Sequence, residues 1–283
     1  MMSPLEIRIS DCAGFCWGVE RALEMTLEAA GEAPPPVNSL GPLIHNPGVI
    51  ADLKRRGVGV LDGPEGVTEG TVILRSHGVP RGTRERLAAQ GLTVIDATCP
   101  FVTSAHEKAA RLKKDGYLVI ILGERDHPEV LGLRSYAGDD SLVAESPSDL
   151  PEQIPNRKIG VVVQTTQSQE RLSELVAHLA PQTKELLVHN TICSATEQRQ
   201  AAAIAMAGEV DAVVVVGGRE SGNTRRLAQL CALQQPRTHH VESAVEIDPS
   251  WFRGLRTVGI TAGASTPPEQ IEAVAAVLRE VEP

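Results

Sequence analysis

RISDCAGFC (8–16), VIDATC (94–99) and VHNTIC (188–193) follow one pattern: a β-branched run passes straight into a short turn that ends on cysteine. A helix-like segment comes next in each case, the first being GVERALEMTLEAAG (18–31). The runs TVILR (71–75), YLVIIL (117–122), KIGVVVQ (158–164), AVVVV (212–216) and TVGIT (257–261) have the same short aliphatic character. Runs of this kind suit strands buried on both faces. Amphipathic stretches such as GNTRRLAQLCALQQ (222–235) separate them. Strand and helix alternating along the chain predict an α/β fold with parallel strands.

Outward from the cysteines the chain repeats itself. The next strand-end loops carry His45 (SLGPLIHN, 39–46), His127 (LGERDHPEV, 122–130) and Ser221 (GGRESGN, 217–223), which lie 29, 28 and 28 residues after Cys16, Cys99 and Cys193. The loops after those carry His77 (RSHGVP, 75–80), Thr166 (QTTQS, 164–168) and Ser265 (AGAS, 262–265), at 61, 67 and 72 residues. Recurrence at a fixed period marks a repeated structural unit. The expected architecture is three similar parallel α/β units, 14–97, 98–192 and 193–283, the last completed by the N-terminal strand 1–13. A pseudo-threefold arrangement would gather the thiols and polar loops in one central cluster cavity, because functional groups of parallel sheets collect at strand carboxyl ends.

Hydrophobic residues make up 42% of the chain but aromatics only 2%, so the core must be aliphatic. No apolar run approaches the ~20 residues of a membrane helix. MMSPLEIRIS (1–10) lacks a basic region followed by an apolar stretch, so no signal peptide or membrane is expected, and the expected location is the cytoplasm. A formal net charge of −9 repels a nucleic-acid backbone. Five cysteines, an odd number, argue against a disulfide framework. Cys231, flanked by Leu227 and Leu230, reads as core; Cys12 has no counterpart in the other repeats and is only a conceivable fourth thiol.

A strand-to-helix turn supplies N–H donors and a helix N-terminus, and both favour a thiolate. Three thiolates suit zinc with an open position, as in a zinc-dependent hydrolase acting on a phosphorylated substrate. They also suit a [4Fe–4S] cluster with three Cys ligands and one open iron, the leading reading. His45, His77 and His127 at corresponding loops fit a metal or an anion, and the companion loops SGN (221–223), AGAS and QTT (164–166) favour the anion. Helix capping is the plainer role for such residues, and Asn223 and Ser265 fit either. Neither a GxxxxGK[ST] sequence nor a GxGxxG after a strand is present. Glu129, two residues after His127, is the candidate proton donor, ahead of Asp126, since a desolvated carboxyl beside negative charge has a raised pKa.

GFCWGVERAL (14–23), SHGVP (76–80), DATCPFVTSAH (96–106), HPEV (127–130), VVVQTTQS (161–168), ICSAT (192–196), SGNTRRL (221–227) and GITAGASTP (259–267) occur in the order of one known family. Almost end to end, the chain resembles the 4-hydroxy-3-methylbut-2-enyl diphosphate reductases, the last enzymes of the methylerythritol phosphate route to isoprenoids. The resemblance implies an oxidoreductase of pseudo-threefold fold that removes the hydroxyl of this allylic diphosphate, giving isopentenyl and dimethylallyl diphosphate. It implies Cys16, Cys99 and Cys193 as ligands of one [4Fe–4S] cluster with an open iron. It implies His45, His77, His127, Ser221, Gly222, Asn223 and Ser265 as diphosphate donors, Glu129 as proton source, Thr165 near the substrate hydroxyl and Gln164 in support. Ferredoxin or flavodoxin would supply electrons. Three positions depart from the pattern: Gly222 stands for a serine, leaving only a backbone N–H, Arg75 stands where a small residue also occurs, and Cys12 lies where the family usually lacks cysteine.

Overall fold

In the computed structural model, residues 5–154 and 158–281 are described. They run β1 (Glu6–Ile9), α1 (Trp17–Glu32), β2 (Val37–Leu40), α2 (Pro47–Arg55), β3 (Val58–Leu61), β4 (Thr71–Leu74), α3 (Thr83–Ala89) and β5 (Thr93–Asp96). Then come α4 (Pro100–Lys114), β6 (Leu118–Leu122), α5 (Pro128–Ala137), β7 (Leu142–Ala144), β8 (Lys158–Val163), α6 (Gln169–Leu179) and β9 (Glu185–His189). The last third is α7 (Ser194–Ala207), β10 (Ala212–Val216), α8 (Gly222–Gln234), β11 (Thr238–Val241), β12 (Thr257–Ala262) and α9 (Pro268–Arg279).

Every strand pair is parallel, and the strands form three four-stranded sheets ordered β3-β2-β4-β5, β7-β6-β8-β9 and β1-β12-β10-β11. One connectivity serves all three. The first strand after each cysteine (β2, β6, β10) is internal, the second (β3, β7, β11) is an edge, and the third (β4, β8, β12) is internal. The other edge is the strand that leads into a cysteine (β5, β9, β1). In the last sheet that edge comes from the start of the chain, with Glu6 opposite Thr257 and Ile9 opposite Ile260. The α/β class of repeated parallel sheets read from the sequence is the observed one.

Two compact units emerge: Met1–Trp17, His45–Val49 and Ser194–Pro283 form one, and Gly18–Ile44 with Ile50–Cys193 form the other. Residues 1–4, the beginning of the expected strand 1–13, 155–157 of the expected second unit and 282–283 of the expected third unit lie outside the described residues. The first unit contains the sheet β1-β12-β10-β11. Val214, Val216, Val258 and Ile260 face Val274, Ala275 and Leu278 of α9, while Val213 and Val215 face Ala203, Ala207, Leu227 and Cys231 of α7 and α8. The second unit contains the other two sheets. Ile120, Leu122, Val161 and Val163 cluster with Leu172, Leu175 and Leu179 of α6, and Val119, Ile121 and Val162 cluster with residues of α4 and α5. Strands covered on both sides explain why these runs are continuously apolar, each buried aliphatic side chain contributing ~1.5–3 kcal/mol. Among the described residues no helix is long and apolar enough to cross a membrane.

The sequence runs named above omit β2, β3, β7 and β11. VGVL and LVA are apolar but only four and three residues long, and THHV and β2, VNSL, carry polar residues, so none shows a long apolar run. Their ladders come from the neighbouring strand rather than from their own pattern.

Gly160 on β8 shows how tightly helix and sheet meet, since a Cβ there would lie 2.7 Å from both terminal methyls of Leu112 on α4. Gly160→Ala should therefore destabilise the protein by ~1–3 kcal/mol. In urea denaturation, Gly160→Ala combined with Leu112→Ala should cost clearly less than the two single changes added together. Strict additivity would show that the two positions do not compete for space.

Candidate functional site

Cys16, Cys99 and Cys193 each stand immediately before a helix, α1, α4 and α7 respectively. Each backbone N–H donates to a carbonyl in the loop after the third strand of the same sheet: Cys16 to Ala264 (3.1 Å), Cys99 to Ser76 (3.0 Å) and Cys193 to Thr165 (3.0 Å). Local chemistry shapes the turns. Asp96 Oδ1 accepts from Thr98 N (3.0 Å) and Asn190 Oδ1 from Ile192 N (3.1 Å), a side-chain turn two residues long in both cases. In the Cys16 turn Gly14 adopts φ +100°, and a Cβ would press on Thr266 O at 3.3 Å. Cys99 caps α4 from extended backbone, with Pro100 at the first helical position. All three thiols are partly exposed and none is in a disulfide. Cys12 is likewise a free, partly exposed thiol, while burial pushes the Cys231 thiol up to about 11, as expected for a core cysteine.

Within the second unit, β6 and β8 bring Glu129 and Thr165 together. Glu129 sits in the first turn of α5, 1% exposed. Its Oε1 accepts from Thr165 N (2.7 Å) and its Oε2 from Thr165 Oγ1 (2.9 Å). Burial raises its pKa from 4.5 to about 7; the two Thr165 bonds oppose the shift and the Glu124 charge adds to it. A protonated Oε2 can donate to Thr165 Oγ1, so proton and hydroxyl share one hydrogen bond. His127 caps α5, its Nδ1 accepting from Glu129 N (3.2 Å), which leaves the proton of the neutral ring on Nε2. Its ring meets that of His77 edge-on, centroids 5.4 Å apart. Gln164 is fully buried: Oε1 accepts from Glu124 N (2.9 Å) and Nε2 donates to Thr166 Oγ1 (3.0 Å), so it braces the loop that leads to His127.

Within the first unit, Ser221 caps α8, its Oγ accepting from Thr224 N (3.3 Å), and Gly222 is the first helical residue. Asn223 caps nothing. It is 4% exposed, and among the described residues neither Oδ1 nor Nδ2 has a hydrogen-bond partner. An orphaned buried amide costs ~1–3 kcal/mol per group, which a bound ligand would recover. Ser265 also caps no helix, because α9 is capped by Pro267; its Oγ donates to His45 O (3.2 Å). Arg219 is engaged by the Glu246 carboxylate, and Arg225 donates to Arg219 O (2.9 Å).

Sequence reasoning passed over several residues that hold these loops. Asn46, beside His45, donates from Nδ2 to Ser265 O and Gln270 Oε1 (both 2.9 Å) and accepts from Val49 N (3.1 Å). Ser76, beside His77, donates from Oγ to Leu43 O (2.9 Å). Arg199 of α7 donates to Gly14 O (2.7 Å), and Arg21 of α1 donates to Thr98 O (3.2 Å). Adjacency to a histidine was a usable signal for Asn46 and Ser76. The arginines offered none, because their partners are backbone carbonyls distant in sequence.

Residues 7–279 match the family described as LytB protein. A relative from Geobacter sulfurreducens, called 4-hydroxy-3-methylbut-2-enyl diphosphate reductase, is 48% identical over 277 residues, 98% of each chain. Among solved structures, an (E)-4-hydroxy-3-methyl-but-2-enyl diphosphate reductase, described as the terminal enzyme of the non-mevalonate pathway, is 44% identical with TM-score 0.71 over 98% of this chain and 100% of the other. The E-1-hydroxy-2-methyl-but-2-enyl-4-diphosphate reductase from Plasmodium falciparum is 26% identical with TM-score 0.90, over 97% of this chain and 88% of the other.

The Glu129 environment makes stability depend on pH. Its folded pKa of about 7 lies above the ordinary 4.5, so its contribution is complete below the ordinary value and is lost as pH rises through 7, roughly 3 kcal/mol in all. Glu129→Gln should flatten the fall in denaturation free energy between pH 5 and pH 8 (roughly the span of the two values). Parallel pH profiles for the two proteins would remove the buried acid.

Proposed function

The chain belongs to the LytB protein family, and we propose that it is a 4-hydroxy-3-methylbut-2-enyl diphosphate reductase forming isopentenyl and dimethylallyl diphosphate at the end of the methylerythritol phosphate route. The balance is the allylic alcohol plus two electrons and two protons, giving either alkene diphosphate and water. The observation that carries this reading is Glu129, a buried acid titrating near neutrality with its proton shared by the Thr165 hydroxyl. Binding alone would not need such a group.

Cys16, Cys99 and Cys193 would hold one [4Fe–4S] cluster with an open iron. The donor set fits: three partly exposed thiols outside any disulfide occupy equivalent places before α1, α4 and α7, and Cys12 has no equivalent. When bound, the cluster supplies the electrons and a Lewis acid for the substrate oxygen. The chain's own residues do the rest. His45, His77, His127, Ser221, the Gly222 N–H, Asn223 and Ser265 would bind the diphosphate, and the orphaned amide of Asn223 supports that role. Hydrogen bonds from neutral donors gain strength where water is excluded. Glu129 would pass its proton through Thr165 to the departing hydroxyl, and Gln164 keeps the Glu124–His127 loop in place. The units 14–97, 98–192 and 193–283 with 1–13 would then be arranged pseudo-threefold, each contributing one thiol and two polar loops. Ferredoxin or flavodoxin would return the electrons in the cytoplasm. The activities of the relatives weigh against a zinc-dependent hydrolase on a phosphorylated substrate.

Anaerobic turnover of the diphosphate with an artificial reductant tests the reading. Cys99→Ser should lose most iron, sulfide and brown colour while the far-ultraviolet dichroism of the fold persists; a full cluster in that variant would end the ligand assignment. Glu129→Gln should keep KM within about threefold and lower kcat by about 10²-fold or more. Turnover of the unaltered protein should also fall as pH rises through about 7, where Glu129 gives up its proton. A Gln variant as fast as the parent would strike Glu129 from the mechanism.

A further inference from the structure

We propose that His106 is a positioning residue, a neutral wedge on α4 that sets the spacing between the His77 loop and the helix carrying His127 and Glu129. It sits two turns into α4, whose first residue follows Cys99, and is only 5% exposed. Two glycines make room for its ring, one from each segment. At Gly78, next to His77, φ is +74° and a Cβ would stand 2.7 Å from His106 Cε1. At Gly132 of α5, three residues after Glu129, a Cβ would stand 2.8 Å from His106 Nε2. On α5 one turn beyond Gly132, the Tyr136 ring stacks on the imidazole with centroids 4.6 Å apart and planes 13° from parallel. The ring thus touches both the His77 loop and α5, and it lies on the helix that starts at Cys99.

The contacts are those of shape rather than of hydrogen bonding. Among the described residues His106 Nε2 has no hydrogen-bond partner, and burial holds the ring neutral, with its pKa down at about 4. A rigid planar body fills the slot, and its removal lets the two segments move. The His77–His127 ring contact at 5.4 Å spans the same gap, so it reports directly on the wedge. Small displacements of positioning groups are costly to a reaction that needs near-attack geometry.

The activity arm of the test rests on the reductase reading, whereas the ring arm does not. In holoenzyme with labelled histidine, ring-proton contacts between His77 and His127 should be present in the parent, lost in His106→Ala and retained in His106→Phe, which keeps a flat ring without nitrogen. KM for the allylic diphosphate should rise about tenfold in His106→Ala and return to within about threefold in His106→Phe. Gly132→Ala, which leaves His106 in place and crowds Nε2, should reproduce the KM rise if His106→Ala proves too unstable to handle. Ring contacts unchanged in both His106→Ala and Gly132→Ala would overturn the proposal. Rescue by His106→Gln with failure of His106→Phe would also overturn it, by showing that a nitrogen is required. A parent protein without turnover but with the predicted ring contacts would sink the reductase reading and leave the wedge standing.

Discussion

Each cysteine turn is tied by its backbone N–H to the loop that follows the neighbouring strand, and the site is organised around that bond. Cys16 reaches Ala264, Cys99 reaches Ser76 and Cys193 reaches Thr165. A parallel ladder puts the carboxyl ends of its strands on one side, so a turn leaving an edge strand lies beside the loop leaving the strand next to it. The bond locks thiol and polar loop into one register. The thiol therefore inherits the start of a helix, and the loop residues beside it, Ser265, His77 and Thr165, inherit a fixed distance from it.

The second constraint is the desolvation of Glu129. A buried carboxyl group in the first turn of α5 would be costly to ionise, and Thr165 offsets part of the cost, through a backbone N–H and a hydroxyl. The outcome near pH 7 is an acid that keeps or gives up its proton with little bias. Gln164 braces the neighbouring Glu124 loop, since it is fully buried and occupied on both sides of its amide. Asn223 shows the opposite condition, a buried amide without a hydrogen-bond partner among the described residues. Gln164 has its hydrogen-bonding capacity met within the fold, whereas the Asn223 amide is left for the diphosphate in the proposed reading.

Capping and binding are not exclusive at these loops. Ser221 caps its helix, the plainer role read for it from the sequence, and His127, for which capping was not foreseen, does so as well, yet a capping side chain uses only part of its hydrogen-bonding capacity. His127 caps through Nδ1 alone, and its ring carries a second nitrogen. Asn223 and Ser265, which fitted capping equally well in the sequence, cap nothing. The distinction turns on one residue of helix register, and composition does not encode that.

The chain by itself determined the α/β class, the threefold recurrence of cysteine and polar loops, and the residue types at the site. These follow from local rules: β-branched runs make buried strands, and turn residues and glycines punctuate them. Strands β2, β3, β7 and β11 escaped that reading because an edge strand or a polar internal one is specified by its neighbour's ladder rather than by its own pattern. Tertiary structure alone decided that Glu129 meets Thr165 36 residues away, that Arg199 holds the Gly14 carbonyl from 185 residues away, and that His106 is gripped between Gly78 and Gly132. Burial, proton affinity and steric fit belong to the neighbours a residue acquires on folding, and those neighbours are distant along the chain.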